Sequence, residues 1–139
     1  MKSSGRLEFG QVPVLELPDG RTLAQSNSML RYLGRNFGYY PEDDAITAWK
    51  IDSLIDATED FRFRYYSAHF GDDEVSCAAA KVHLLEWLPN WLPTIEKRLA
   101  SNSNSRHAVG EKQTIVDFSL ASILLDILLN ETNPYYSEI

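Results

Sequence analysis

The sequence predicts an α+β fold that is mostly α, in which a β-hairpin and a helix in residues 1–40 precede an all-helical part in residues 41–139. Residues that favour strands are concentrated before Tyr39-Tyr40-Pro41, and beyond this point apolar residues recur at helical spacing. With 139 residues, of which 44% are hydrophobic, the chain can bury a sizeable core. We therefore place the predicted domain boundary near residue 40.

The predicted hairpin begins with a strand that contains a proline. Residues 12–17 are rich in strand formers, yet Pro13 lacks the N–H that a central strand donates. The segment is therefore either an edge strand, or it has a cis bond at a bend that leaves the backbone groups of Val12 facing outward. Such exposed groups can bind an extended peptide. Pro18-Asp19-Gly20 has turn chemistry, so residues 21–24 are predicted to return antiparallel.

A helix is predicted to follow the hairpin directly. Ser26 or Asn27 is the natural N-cap, because both side chains can accept a backbone N–H at a helix start. The apolar residues at helical spacing are Met29, Leu30, Leu33 and Phe37. A helix N-terminus beside a serine hydroxyl binds a carboxylate well, although plain capping is the commoner role of a serine here.

The hairpin and the start of this helix resemble the glutathione-binding half of cytosolic glutathione transferases, most closely the sigma class. The resemblance rests on Gln11-Val12-Pro13 and on residues 23–33, LAQSNSMLRYL, in the same order and spacing. It implies a partial thioredoxin-like lobe in which a cis-proline follows Val12, whose backbone pairs with the cysteinyl part of glutathione. It also implies that Gln25 and Ser26 hold the γ-glutamyl carboxylate. The glutathione-binding residues implied in this half are Gln11, Val12, Pro13, Gln25 and Ser26.

A long helix is predicted from Pro41, at a first helical position, to about Tyr66. Its predicted core positions are Ile51, Leu54, Ile55, Thr58, Phe61 and Tyr65. The opposite stripe is acidic, and it is either a solvated face or a surface that faces a cation. The acidic residues are Asp52, Asp56, Glu59 and Asp60.

The resemblance adds a role for this acidic stripe. In sigma-class transferases an acidic residue reaches across a homodimer to the amino group of glutathione on the other subunit, and Asp60 matches that position. Asp56, Glu59 and Asp60 also match carboxylates that hold a divalent cation in enzymes resembling the haematopoietic prostaglandin D synthase. A site for a hard cation needs several oxygens in register, so we predict no metal site.

Two further helical segments are predicted. Residues 75–99 form one long helix or a pair of helices, because Pro89 and Pro93 each remove a backbone hydrogen bond. Its predicted core stripe is Trp87, Leu88, Trp91, Leu92, Ile95 and Leu99. Thr114 and Asp117 have capping-box spacing before a helix that is apolar on nearly every side, and we expect that helix to be central and buried. Residues 110–118 resemble the same region of the transferase helical domain.

Composition narrows the partners and the location. The net charge is −7 and no basic cluster occurs, which argues against nucleic acid and against an anionic membrane. The single cysteine, Cys77, excludes an internal disulfide and is predicted to be a structural thiol in a reducing compartment. The first ten residues lack the apolar core of a signal peptide, so the predicted location is the cytoplasm. His69, His83 and His107 show no ligand pattern.

The predicted function is that of a glutathione transferase, which binds glutathione as co-substrate, needs no other cofactor and, in its complete form, conjugates glutathione to small hydrophobic electrophiles. A homodimer is implied by the resemblance. Tyr65, Tyr66 and Phe70 are candidates for the pocket of the electrophile. The alternative is a catalytically silent dimerisation or docking module whose contact is the exposed side of the helix in residues 120–129.

No catalytic residue is assigned. The family's activating tyrosine lies on a strand before the hairpin, and only ten residues precede Gln11. Tyr32 lies inside a predicted helix and cannot substitute, and Ser3 and Ser4 have no strand context. We therefore expect a chain without the family's N-terminal strand-helix-strand and without its C-terminal helices.

Overall fold

The structure, a computed structural model, describes residues 7–102 and 106–138, so Ser3 and Ser4 lie outside the described residues. A two-stranded hairpin comes first, followed by helices. The elements are β1 (Val14–Glu16), β2 (Thr22–Ala24), α1 (Ser26–Phe37), α2 (Ala45–Phe70), α3 (Glu74–Ala100) and α4 (Ile115–Ile123). A π-helical turn (Leu124–Leu128) continues α4, and a short 3-10 helix (Tyr136–Glu138) follows. The predicted fold class, a hairpin and a helix followed by an all-helical part, is confirmed.

The hairpin forms as the turn chemistry predicts. Its strands are antiparallel, with Val14 opposite Ala24. The Leu17 N–H donates to the Arg21 carbonyl at 2.8 Å, and Gly20 adopts a φ of +85° that suits glycine. The Val12-Pro13 peptide bond is cis, which is one of the two predicted alternatives.

The predicted cap of α1 is wrong. The N-cap is Gln25 rather than Ser26 or Asn27, and Ser26 is the first helical residue. The reason lies in the backbone, because the Gln25 carbonyl already accepts the Met29 N–H at 2.9 Å. The helix ends where Gly38 adopts the left-handed conformation with a φ of +78°.

Helix α2 begins four residues later than predicted and ends four residues later. Asp44, not Pro41, defines its start, since the Asp44 carboxylate accepts the N–H groups of Ile46 and Thr47 at 3.1 and 2.9 Å. The hydrogen bond from the Thr47 hydroxyl is the main reason that the pKa of Asp44 is below its ordinary value. All predicted core residues of this helix are buried: Ile51, Leu54, Ile55, Thr58, Phe61 and Tyr65.

Helix α3 is one continuous helix that includes both Pro89 and Pro93. Pro89 and Pro93 are about one turn apart, and both are exposed, as is Leu85, whose carbonyl loses the donor that Pro89 lacks. Leu92 is 38% exposed, so its predicted core position is wrong. The rest of the predicted stripe is buried or half-buried against the core: Trp87, Leu88, Trp91, Ile95 and Leu99.

The core lies where α2 packs against α3 and α4. Phe61 of α2 is fully buried and stacks on Trp91 of α3 with ring centroids 5.3 Å apart. Helix α1 docks closely on α4, because a Cβ atom on Gly34 would lie 2.5 Å from Ile115 Cγ2. The Ile115 N–H also donates to the Tyr39 carbonyl at 3.0 Å. These contacts fix α1 relative to the helical core.

The capping box before α4 is confirmed. The Asp117 carboxylate accepts the N–H of Thr114 at 2.7 Å and the N–H of Ala108 at 2.7 Å. The prediction that this apolar helix is central and buried holds for part of its surface: Ile115, Val116, Leu120 and Ile123 are buried, whereas other apolar residues of α4 and of the turn that follows it are exposed. The exposed apolar residues are Phe118, Leu124, Leu125 and Leu129.

Cys77 is half-buried, and its sulfur accepts the Gly71 N–H at 3.2 Å, as expected of a structural thiol.

None of the helices in the described ranges has the length and apolar character required to cross a membrane.

Candidate functional site

A narrow pocket lies between the segment before β1 and the start of α1. Its volume is about 40 Å³, so it holds one end group of a ligand rather than a whole small peptide. The pairing of Val14 with Ala24 brings the two segments together. Five of the six predicted site residues line it: Gln11, Val12, Pro13, Gln25 and Ser26. Phe9 and Ala24 complete the lining, and sequence reasoning did not single them out.

Several residues of this pocket are exposed to solvent. Val12 is 71% exposed, and Gln25 and Ser26 are also exposed. Gln25 adopts a φ of +71°. A positive φ costs a non-glycine residue about 1–3 kcal/mol and is concentrated at functional sites. No side chain in the described residues caps α1, so the first N–H groups of this helix are oriented to receive an anion.

A larger cavity of about 460 Å³ adjoins the narrow pocket, and Ser26 lines both. Its walls come from the start of α1, the middle of α2 and α4. Tyr66 and Phe118 provide aromatic surface and are 52% and 44% exposed. The Phe118 ring lies edge-on to Tyr39 with centroids 5.6 Å apart, which orients it.

A polar network forms one side of the larger cavity. Arg62 Nη2 donates to Ser122 Oγ at 2.6 Å and to the Ser119 carbonyl at 3.2 Å, and Arg62 Nη1 lies 3.6 Å from Glu59. The hydroxyls of Thr58 and Ser119 share a buried hydrogen bond of 2.8 Å. These hydrogen bonds join α2 to α4 and hold the Arg62 guanidinium group at a fixed place in the cavity wall.

The acidic stripe of α2 does face cations over most of its length. Arg31 Nε donates to Asp52 at 2.6 Å, and Arg31 also lies 3.6 Å from Asp56. Burial is the largest single influence and lowers the pKa of Arg31, but the hydrogen bond to Asp52 and the negative charges of Asp52 and Asp56 together raise that pKa above its ordinary value. Burial and the Asp52 hydrogen bond likewise raise the pKa of Tyr40. The ion pairs of the acidic stripe with Arg31 therefore help to hold α1 against α2.

Some predicted residues lie apart from these pockets. Asp60 is exposed on α2 and lines neither cavity. Tyr65 is buried and donates its hydroxyl hydrogen bond to Asn133 at 3.2 Å, and Phe70 is 64% exposed outside the larger cavity. Of the three residues suggested for the electrophile pocket, Tyr66 lines the cavity. Within the described ranges no group of three or more histidine, cysteine, aspartate or glutamate side chains could hold a metal ion.

Sequence reasoning missed several residues of the larger cavity, namely Arg62, Phe118, Ser119 and Ser122. The sequence did contain one indication of where α2 and α4 meet. Ser119 and Ser122 interrupt an otherwise apolar helix at a spacing of three, and Thr58 occupies a core position of α2. Polar residues at buried positions require partners, so they mark the faces on which α2 and α4 meet.

Comparisons with known proteins place these features in a family context. The family model described as the C-terminal domain of glutathione S-transferase matches residues 59–137. The chain is 34% identical over 118 residues to the human glutathione S-transferase P, covering 84% of this chain and 53% of that protein. It is 36% identical over 132 residues to glutathione S-transferase P 1 of Xenopus laevis, covering 91% of this chain and 59% of that protein.

Solved structures show the same similarity. The structure of prostaglandin synthase D of Nilaparvata lugens matches 88% of this chain and 59% of its own, with a TM-score of 0.74 and 30% identity. A glutathione S-transferase of Caenorhabditis elegans matches with a TM-score of 0.74 and 26% identity, over 91% of this chain and 61% of its own. The chain thus spans between about half and three fifths of the length of these proteins.

Proposed function

The chain belongs to the glutathione S-transferase family, and from this premise we propose that it binds glutathione and takes part in transferring its thiolate to small hydrophobic electrophiles. The observation that carries the proposal is the position of Ser26, which lines both the narrow pocket and the larger cavity. Two substrates that occupy adjoining cavities meet at this residue. Proximity of this kind accelerates a reaction by converting a bimolecular step into an effectively unimolecular one.

Glutathione is proposed to bind with its γ-glutamyl carboxylate at Gln25 and Ser26 and with its cysteinyl backbone at Val12. The exposed start of α1 supports the first contact, because its N–H groups and dipole favour an anion. The 71% exposure of Val12 supports the second. Gln11 and Pro13 complete the wall of the narrow pocket.

Asp60 is proposed to act in a homodimer, where its carboxylate meets the amino group of glutathione bound to the partner copy. Its exposure on α2, outside both cavities of its own chain, is consistent with a role toward a second chain. Glutathione serves as co-substrate, and the proposal includes no further cofactor.

The larger cavity is proposed to hold the electrophile. Tyr66 and Phe118 offer aromatic surface for a flat apolar compound, while Arg62 can stabilise a polar substituent on it. We extend the proposal to a sigma-like class, a glutathione-binding lobe in residues 1–40, a helical domain in residues 41–139 and a cytoplasmic location. These extensions rest on the sequence motifs and composition.

Titration calorimetry with reduced glutathione tests the binding site. Replacing Ser26→Ala removes a hydroxyl that bonds to a charged group, so we expect an affinity loss of about tenfold. The matched control is Ser28→Ala, which removes an exposed hydroxyl from the same helix outside the narrow pocket. Equal affinities for the Ser26→Ala variant and the unchanged chain would rule out this placement of the carboxylate.

A second candidate function is a catalytically silent docking module. The observation in its favour is the exposed apolar surface that follows α4, where Leu125 in the π-helical turn is 65% exposed and Leu129, directly after this turn, is 64% exposed. Retention on immobilised glutathione separates the two candidates, because a pure docking module flows through the column. Elution of the retained chain by free glutathione would favour the transferase.

A further inference from the structure

A small polar pocket lies where the end of α3 meets α2 and the segment before α4. Its volume is about 50 Å³, which suits one small ion or end group rather than an extended molecule. None of its lining residues belongs to the narrow pocket or to the larger cavity. We call this feature the basic pocket, and its lining residues are Lys50, Arg98, Ser101, Asn102, Ala108, Val109 and Gly110.

Arg98 is a half-buried cation without a counter-ion. Within residues 7–102 and 106–138 its guanidinium group makes no hydrogen bond and no ion pair. Nη2 is buried without an acceptor, whereas Nε and Nη1 are not buried and can be reached by a ligand. The guanidinium carbon lies 5.4 Å from the centre of the Trp49 ring, which covers one face and leaves the N–H donors at the edge. An anion that accepts from this edge would compensate a partly desolvated charge.

The charges around the basic pocket favour an anion. The sequence has 20 acidic and 13 basic residues, and Arg21, Arg31 and Arg62 each lie within 3.6 Å of a carboxylate oxygen. Arg98 does not, and none of the described residues that line its pocket is acidic. Lys50 adds a second cation that forms no ion pair in the described part of the chain. Two cations without counter-ions in an acidic protein create a local positive potential.

Polar side chains hold the loop wall of the basic pocket in place. The Asn102 amide donates to the carbonyls of His107 and Gly110 at 2.8 and 2.9 Å. The Asp117 carboxylate, which does not line the pocket, accepts the Ala108 N–H at 2.7 Å. The wall is therefore formed before a ligand arrives, which lowers the entropic cost of binding.

The end of α3 does not cancel the positive potential. The C-terminus of a helix normally repels an anion, because its last carbonyls lack donors. Here the Lys97 carbonyl accepts the Ser101 N–H at 3.1 Å, and the Leu99 carbonyl accepts the Asn102 N–H at 3.0 Å. The Arg98 carbonyl accepts the Ser101 hydroxyl at 2.6 Å. These bonds occupy the carbonyls, so the two cations dominate the potential in the pocket.

We propose that the basic pocket binds one phosphate group, either as inorganic phosphate or as the end of a phosphate monoester. Arg98 donates to the phosphate oxygens through Nε and Nη1, and the planar fork of these donors suits two oxygens of one phosphate. Lys50 contributes its ammonium group as a second charge. The site uses none of the residues proposed to bind glutathione or the electrophile.

Titration calorimetry of the full chain with inorganic phosphate tests the proposal, at constant ionic strength and with chloride as the reference anion. Arg98→Gln removes the charge and the fork, and should weaken phosphate binding about tenfold. Arg98→Lys keeps the charge and should lose less, and Lys50→Gln should weaken binding about threefold. The matched control is Lys97→Gln, which removes an exposed charge beside Arg98 in sequence but outside the pocket, and should leave the affinity nearly unchanged. Equal losses in Arg98→Gln and Lys97→Gln, or no loss in Arg98→Gln, would overturn the proposal.

Spectra of the ¹⁵N-labelled unchanged chain keep the proposal testable if the Arg98 variants fail to fold. Inorganic phosphate should cause saturable shifts at the amides of Asn102 and Gly110, and chloride at the same ionic strength should not. Shifts that chloride reproduces, or unmoved amides at both positions, would contradict a phosphate site.

Methyl phosphate distinguishes the two sources of the phosphate group. Saturable shifts at the same amides with both ligands support a site that accepts the end of a monoester. Shifts with inorganic phosphate alone support a site for the free ion. Failure of both ligands to bind would overturn the proposal.

Discussion

Asp117 is the residue on which the start of α4 depends. Its carboxylate accepts the N–H groups of Ala108 and Thr114, both at 2.7 Å, and the Thr114 hydroxyl at 3.1 Å. It therefore stabilises both the helix N-terminus and the loop before it. The α4 face that contacts α1 and α2 includes Ile115 and Ser119, which lie two residues before and two residues after Asp117.

Replacing Asp117→Ala leaves two backbone donors without their acceptor. We expect the free energy of unfolding to fall by about 1–2 kcal/mol. Thermal and denaturant unfolding measure the change. Asp117→Asn keeps an acceptor and should lose less, whereas Asp126→Ala, on the same helical segment without a capping role, serves as the control. An Asp117→Ala variant with unchanged stability would show that these bonds do not stabilise the helix start.

At the scale of single residues, five of the six residues predicted for the glutathione site line the narrow pocket, Asp60 lies outside it, and their role in binding remains a prediction. Val12, Gln25 and Ser26 lie close together because the turn pairs β1 with β2. Both the turn and the strand pairing can be predicted from the local sequence. The cap at Gln25 was not predictable, since a positive φ at glutamine contradicts its backbone preference and arises from the connection between β2 and α1.

Among the elements, α1 approaches α4 closely at Gly34. Gly34 brings the two backbones together, and a Cβ atom there would lie 2.5 Å from Ile115 Cγ2 and 3.0 Å from Tyr40 Cβ. In an exposed helix, glycine to alanine is normally stabilising by up to about 1 kcal/mol. At Gly34 the overlap of the added Cβ atom with Ile115 and Tyr40 makes the same substitution destabilising.

We expect Gly34→Ala to lower the free energy of unfolding by about 1–3 kcal/mol, because well-packed neighbours must move apart. Denaturant unfolding measures this loss, and glutathione affinity should fall with it because α1 carries Ser26. The control Ser28→Ala, at an exposed position of α1, should leave stability nearly unchanged. A stabilised Gly34→Ala variant would mean that α1 does not dock on α4 as described.

The start of α2 and the continuity of α3 are two features that the sequence pattern did not determine. Pro41 and Asp44 both signal a helix start, and the structure uses Asp44 because its carboxylate satisfies two backbone donors. Pro89 and Pro93 left open a break in α3 that does not occur. Helix α3 stays continuous because Leu88, Trp91 and Ile95 pack in the core with α2, and this tertiary packing cannot be predicted from the local sequence pattern.

At the scale of the whole molecule, three elements far apart in sequence create the larger cavity. Helix α1 supplies Ser26, α2 supplies Arg62 and Tyr66, and α4 supplies Phe118 and Ser122. The narrow pocket was predictable because its residues lie within one hairpin and its connection to α1. The larger cavity was not, because its existence depends on how α1, α2 and α4 pack.

Glutathione is proposed to bind at the narrow pocket beside Ser26. Backbone ¹⁵N–¹H spectra of the labelled chain, recorded with increasing reduced glutathione, test it most directly. We expect saturable changes at the amides of Val12, Gln25 and Ser26, with little change at the Trp91 indole. Saturable changes confined to residues outside the narrow pocket, or no change at Gln25 and Ser26, would contradict this placement of glutathione.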